Sequence, residues 1–346
     1  MGDTVTYPYF KVGLDSGTDS VLAENIPTLD RSTLERSEAY RPHPDLSHAV
    51  NVALILGMPL LVTGEPGTGK TQLAFVIAHA LKCKIYKFET KSTSIARDLF
   101  YTFDALGSFK AKKITDQKRF IHYQALGRSI LDAFPADELR VSRLLPSSGT
   151  SDYIHSGPRR SVVLIDEIDK APRDFPNDVL NEIERLYFRV PELNNLGTPG
   201  ADGETGVEPQ YRPIVVISSN SEKGLPDPFL RRCVYFDIPF PTEEQMRDIV
   251  AARMEKLRGG SVLLADALDL FYRLRHRHPQ NPKGETNLKK EPSTAELLNW
   301  IQILLHRNAH PNQTLKIQKD LIKETLATLV KNADDQPDAL SVIEGW

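Results

Sequence analysis

Eight consecutive residues, Gly64-Glu65-Pro66-Gly67-Thr68-Gly69-Lys70-Thr71, fit the pattern G-x-x-x-x-G-K-[ST], and few folds can hold such a run. It needs a buried strand before it and a helix after it. The strand carries the chain to the turn, the glycines let backbone N–H groups close on phosphate oxygens, and the helix N-terminus adds partial positive charge. Both flanks qualify. Leu60-Leu61-Val62 is an apolar run of strand length, and Gln72 to Leu81 carries apolar residues at helical spacing. Lys70 is then placed to reach the β- and γ-phosphates of a nucleotide, and the Thr71 hydroxyl to meet Mg2+. Gly64 through Gln72 is the candidate nucleotide-binding segment.

The rest of the chain repeats the same alternation. Leu46, Val50, Ala53 and Leu54 recur at helical spacing before Gly57 and Pro59 break the pattern. Lys84 to Phe88, Val162 to Ile165, Ile214 to Ser218 and Val234 to Ile238 read as further strands, with a helix expected over Val179 to Arg189. Strands alternating with helices predict an α/β fold with a doubly wound parallel sheet. Two long stretches interrupt it and read as insertions, at about 90–131 and 191–213. After Pro239-Phe240-Pro241 the pattern turns helical. Thr242 with Gln245 forms a capping box, and Met246, Ile249, Val250, Met254 and Leu257 share one face. The expected division is an irregular segment over 1–40, a core over 41–240, and a small all-α domain with a C-terminal helix over 241–346. No internal repeat occurs.

The second chemical signal is Val162-Val163-Leu164-Ile165-Asp166-Glu167, an apolar strand that ends in two carboxylates. Ligands of open α/β sheets bind at that end of the strands. Asp166 is the candidate Mg2+ carboxylate. Glu167, one step on, can orient or deprotonate a water that attacks the γ-phosphate. With Lys70 upstream, the pair implies ATP hydrolysis with Mg2+ rather than nucleotide storage.

Composition limits the partners. Of 346 residues, 43 are Lys or Arg and 46 are Asp or Glu, so a net charge of -3 gives no overall attraction to nucleic acid or anionic lipid. Cys83 and Cys233 are far apart in apolar surroundings, too few for a disulfide framework or a zinc site. The first residues, MGDTVTYPYFKVG, lack a leader pattern, and no apolar stretch is long enough to span a membrane, so a cytoplasmic location is expected.

In order and spacing, GEPGTGKT, LIDEIDKAP, Ser218-Ser219-Asn220 and Leu225-Pro226-Asp227-Pro228-Phe229-Leu230-Arg231-Arg232 resemble the AAA+ ATPases of the MoxR type, over roughly residues 40 to 300. The resemblance implies a P-loop NTPase core followed by a helical lid. It makes Asn220 the sensor 1 residue that helps hold the attacking water. Arg232, with Arg231 a near-equal candidate, becomes the arginine that reaches the nucleotide of a neighbouring subunit. It therefore implies a ring, a hexamer in the family, and a protein partner that could carry a von Willebrand factor A domain. The two insertions correspond to the helix-2 insert and the hairpin before sensor 1 in that branch. One departure stands out: Thr294 occupies the place of the sensor 2 arginine, with Lys289 and Lys290 as nearby substitutes that lack its fork.

Two further readings stay open at this level. Without sensor 2, the ring could be a slow assembly switch or scaffold. Between Lys84 and Arg119, nine Lys/Arg face four Asp/Glu, interleaved with Tyr101, Phe103, Phe109 and Phe120, which suits an acidic peptide or a polynucleotide. A second basic run extends from Arg273 to Lys290. Nucleic acid is nonetheless the less favoured partner, a motor in a bacterial defence-type system being its form. Tyr40-Arg41-Pro42 is a candidate adenine contact.

Overall fold

A helix, α1 (Pro44–Leu56), leads into β1 (Leu60–Gly64), and from there helices and strands alternate. They are α2 (Lys70–Ala80), β2 (Lys84–Glu89), α3 (Ala125–Leu131), β3 (Ser161–Asp166), α4 (Phe175–Arg185), β4 (Ile214–Ser218), α5 (Asp227–Leu230) and β5 (Val234–Ile238). The computed structural model describes residues 44–346 apart from 111–116, 146–152, 156, 204, 222–223, 258, 277–280, 282 and 287. The segment expected to be irregular over 1–40 lies outside the described residues, as does Tyr40-Arg41-Pro42. The chain divides into a unit ending at Phe240 and another running from Pro241 to Trp346.

The five strands form one parallel sheet in the order β2-β3-β4-β1-β5. β3 shows why the sheet is covered on both faces. All six of its residues are buried, as a central parallel strand requires. Val163 and Ile165 join one apolar cluster with Leu61, Val215 and Ile217, whereas Val162 and Leu164 join the other with Leu60, Val62 and Val216. The period-two alternation of side chains thus divides each apolar run between two cores. The register brings Gly64, Glu89, Asp166 and Ser218 to one edge of the sheet: Glu89 pairs with Asp166, Val62 with Ser218, and Gly64 with Ile238.

Two helix limits differ from the sequence expectation. The helix after the glycine-rich turn starts at Lys70 rather than Gln72, because Gly69 adopts a left-handed φ of 92° as its N-cap. α4 covers Phe175–Arg185, not Val179 to Arg189. Pro176 fits its first turn, and Leu186 at φ 52° ends it, so that Arg189–Val190 can pair with Leu196–Gly197 as a short antiparallel hairpin. The second strand of this hairpin lies in the second insertion, and the first immediately precedes it.

In the first insertion, Tyr101–Phe103 pairs antiparallel with Ile121–Tyr123. Its aromatics do not form an open binding strip. Tyr101 is 1% exposed and donates its hydroxyl to Glu192 at 2.9 Å, and Phe100 stacks on Phe188 with ring centroids 5.1 Å apart. Phe109, by contrast, is 89% exposed. Lys112, Lys113 and Asp116 lie outside the described residues.

The unit from Pro241 to Trp346 is helical: α6 (Glu243–Arg253), α7 (Val262–Arg273), α8 (Thr294–His306), α9 (Lys319–Thr325) and α10 (Gln336–Gly345). Thr242 and Gln245 exchange both capping-box hydrogen bonds, and Ser293 with Glu296 does the same before α8. Trp300 is fully buried and donates Nε1–H to Thr325 Oγ1 at 2.9 Å. The basic run here is tied into its own unit. Arg275, 1% exposed, donates to Pro292 O and pairs with Glu291 at 2.7 Å, and Lys289 Nζ pairs with Asp334 at 2.7 Å. Arg277 lies outside the described residues. Thr294 is buried, its hydroxyl without an acceptor or donor among the described residues. No described helix is long and apolar enough to cross a membrane.

Candidate nucleotide site

At the carboxyl edge of the sheet the chain leaves β1 through Gly64 at φ 139°, and a Cβ there would stand 2.7 Å from Ile238 O of β5. Only glycine fits this approach. Gly67 at φ 83° and Gly69 at φ 92° complete a turn that delivers the chain to the N-terminus of α2. Thr68 steadies it by donating its hydroxyl to Glu65 O at 2.9 Å. Pro66 lies between these residues, and Gln72 sits in the first turn of α2.

Lys70 opens α2 and folds back over the loop, donating Nζ–H to Gly64 O at 2.8 Å and Glu65 O at 2.9 Å. Burial pulls its pKa below the ordinary lysine value, opposed by the carboxylates of Asp169, Asp166, Asp237 and Glu167. Thr71 donates its hydroxyl to Asp166 Oδ1 at 2.9 Å, joining the two residues that the sequence put forward for a metal. Ser218 Oγ donates to that same oxygen at 2.5 Å and accepts the Glu167 N–H at 2.9 Å. Lys87 Nζ, from β2, is 3.0 Å from Asp166 Oδ2. Burial alone would raise the Asp166 pKa, but the hydrogen bonds from Ser218, Lys87 and Thr71 hold it below the usual carboxylate value.

Glu167 follows at φ 56°, a left-handed conformation uncommon away from glycine, and its half-exposed carboxylate pairs with Lys170. Asn220 donates its backbone N–H to Asp169 Oδ1 at 3.1 Å and Nδ2–H to Oδ2 at 3.4 Å. The loop, Lys70, Thr71, Asp166, Glu167 and Asn220 therefore share one edge. Arg231 and Arg232 do not. They precede β5, whose Val234 N–H bonds to Pro59 O at the opposite end of β1, and Arg232 meets Asn181 Oδ1 at 3.3 Å and Glu184 at 3.7 Å.

Lys87, Asp169, Lys170 and Ser218 enter this cluster without having been singled out in sequence. Asp169 and Lys170 could have been found, since they follow Glu167 within one turn. Ser218 stood in the Ser218-Ser219-Asn220 run without a role of its own and Lys87 carried no signal, because only strand pairing brings them to Asp166.

A glycine cradle on a helix N-terminus, a hydroxyl beside a buried carboxylate and a parallel sheet together define a P-loop ATPase. Residues 59–233 match the AAA domain family, dynein-related subfamily, and the chain belongs to it. Such ATPases bind nucleotide, usually with Mg2+, and typically form oligomeric rings. Among solved structures, the chain is similar to the Thermotoga maritima RuvB Holliday junction branch migration motor, with 16% identity, a TM-score of 0.43, and 84% of this chain and 69% of that chain covered. A single-substitution mutant of that RuvB gives 18% identity, a TM-score of 0.47, and coverage of 88% and 75%. No curated protein matches the chain.

Proposed function

We propose that this ATPase is of the MoxR type, works as a ring, most simply a hexamer, and uses hydrolysis at subunit boundaries to remodel or activate a protein partner. The observation that carries this reading is the Thr71–Asp166–Ser218 hydrogen-bond cluster next to Lys70 and Glu167. A hydroxyl and an ionised carboxylate 2.9 Å apart form a hard oxygen donor pair that suits Mg2+. When bound, the ion neutralises charge on the β- and γ-phosphates.

The chain's own residues do the rest. Backbone N–H groups from Gly64 to Thr71 hold the phosphates, and Lys70 exchanges its two loop carbonyls for phosphate oxygens. Glu167 trades Lys170 for the attacking water and takes its proton, while Asn220, steadied by Asp169, positions that water. Arg232, supported by Arg231, acts on the nucleotide of the next subunit, because its own loop is at the other end of the strands. There it offsets charge that spreads in the transition state. A partner with a von Willebrand factor A domain fits the MoxR reading.

The test is Glu167→Gln. It should keep ATP binding and abolish turnover; unchanged turnover removes Glu167 from the mechanism. A companion test mixes Arg232→Ala into wild type, which should depress specific activity beyond simple dilution if the arginine acts across a boundary.

One observation favours the slower switch reading. Thr294 is buried, Arg275 is bound to Glu291, and Lys289 is paired with Asp334, so these three residues near the sensor 2 position are engaged within their own unit. A turnover far below roughly 1 per second with partner at saturation would support it. A nucleic-acid motor is less favoured, since buried Tyr101 offers no face for base stacking.

A further inference from the structure

At the end of the sheet opposite Lys70 lies a cavity of about 580 Å3, well within the range of small-ligand sites. Four arginines line it, Arg160, Arg212, Arg231 and Arg232, against one carboxylate among the described residues, Glu184. They are far apart in sequence, and the sheet gathers them. Arg160 immediately precedes β3, Arg212 comes two residues before β4, and Arg231 and Arg232 lead into β5. These strands and β1 are contiguous, and in a parallel sheet all their starting ends lie on one edge.

Guanidinium groups brought together with a single carboxylate repel one another. Arg160 adds a local cost. Its Nη2 donates to Pro209 O at 2.5 Å, but its Nε is buried and has no hydrogen-bond acceptor among the described residues. An oxyanion relieves both, and the arginine fork matches phosphate bidentately. We propose that this cavity is a second phosphate site, with Arg160 and Arg212 as its more buried ligands and Arg231 and Arg232 at its exposed side.

The phosphate is not that of the nucleotide on the same chain. Five residue steps along β1 separate Pro59, which lines the cavity with Gly57, from Gly64 at the loop. At ~3.3 Å per residue that is about 16 Å. The phosphate comes either from a nucleotide carried by a second copy or from solution. The rim favours a second copy: Ile55 and Leu56 line the cavity and are 83% and 59% exposed, an apolar edge that suits a protein surface. That source rests on the proposed action of Arg232 across a subunit boundary; the site itself does not.

The test has two arms. In the first, full-length Lys70→Ala, whose own loop is disabled, is titrated with inorganic pyrophosphate by calorimetry at low salt, at a concentration where sedimentation shows monomer. Binding should be measurable, and should weaken roughly tenfold or more when Arg160→Gln and Arg212→Gln are added, with an unchanged melting curve. Arg212→Gln alone keeps the test usable if the combined variant does not fold.

In the second arm, Arg160→Gln/Arg212→Gln is assayed for ATPase activity alone and mixed with Lys70→Ala. Low activity that the mixture restores means the arginines meet a neighbour's phosphate. Pyrophosphate binding without restoration means the site takes phosphate from solution. The absence of both overturns the proposal. If Arg232→Ala does not poison wild type while pyrophosphate binding still depends on Arg160 and Arg212, the ring reading fails and this site stands.

Discussion

Lys87 Nζ stands 3.0 Å from Asp166 Oδ2, while the other oxygen of that carboxylate accepts the hydroxyls of Thr71 and Ser218. A lysine from the neighbouring strand thus already neutralises the carboxylate proposed for Mg2+. The ion and Lys87 compete for Asp166. Lys87→Met should lower the Mg2+ concentration for half-maximal nucleotide binding by roughly fivefold, the equivalent of about 1 kcal/mol for a partly exposed pair. A fluorescent-nucleotide titration against Mg2+ reads this directly. An unchanged or higher requirement would show that Lys87 does not compete.

Asp166 also ties stability to acid. Its pKa is held below 3.8, so its ionised form is favoured in the folded state. The stability it contributes is complete above the ordinary carboxylate value and is lost as pH falls through the lower, folded value. Asp166→Asn should therefore flatten the loss of stability below about pH 4. Denaturant unfolding at neutral and acid pH measures the slope, and an equally steep acid limb in the variant would contradict it.

Gly64 tests how tightly β1 meets β5. Alanine there combines a φ of 139° with a Cβ 2.7 Å from Ile238 O, backbone that has no flexible end to swing aside. Gly64→Ala should cost about 2 kcal/mol or more of stability and weaken nucleotide binding. Gly203→Ala, also at positive φ but with nothing within 4 Å, is the control for strain without a clash, and it should leave binding intact.

The two thiols give a fourth readout. Cys233 is 8% exposed, and burial pushes its thiol up to about 12. Cys83 is raised too, by its own partial burial, with Arg160 opposing. Iodoacetamide at mildly alkaline pH should modify Cys83 slowly and leave Cys233 unmodified until the core unfolds, as mass spectrometry of digests will report. Rapid native labelling of Cys233 would mean that β5 opens locally.

The helical unit has its own anchor. Trp300 is fully buried with its indole N–H on Thr325. Trp300→Ala should cost about 3 to 5 kcal/mol, whereas Trp300→Phe, which keeps most of the volume, should cost less. Equal losses would assign the stability to the hydrogen bond rather than to packing.

What could be read in sequence was local. The glycine run needs a strand before it and a helix after it, so β1, the loop and α2 follow from consecutive residues. β3 followed as well, because an apolar run ending in Asp166-Glu167 has the period and the polarity of a buried strand that stops at a ligand edge. Thr242 announced its helix through Gln245, three positions on. The limits of α4 were less legible, since the apolar pattern continues past Arg185 and only the left-handed turn at Leu186 stops it.

Tertiary structure decided what strand pairing brings together. Lys87 and Ser218 lie 79 and 52 residues from Asp166; nothing beside Lys87 marks it, Ser218 had no role beyond opening the Ser218-Ser219-Asn220 run, and register sets both on its carboxylate. The aromatics of the first insertion read as a binding strip until packing buried Tyr101 against Glu192 and Phe188. Nothing in the sequence sets Arg160 and Arg212 apart. A parallel sheet aligns the starting ends of its strands, and so collects at one edge what the sequence keeps far apart.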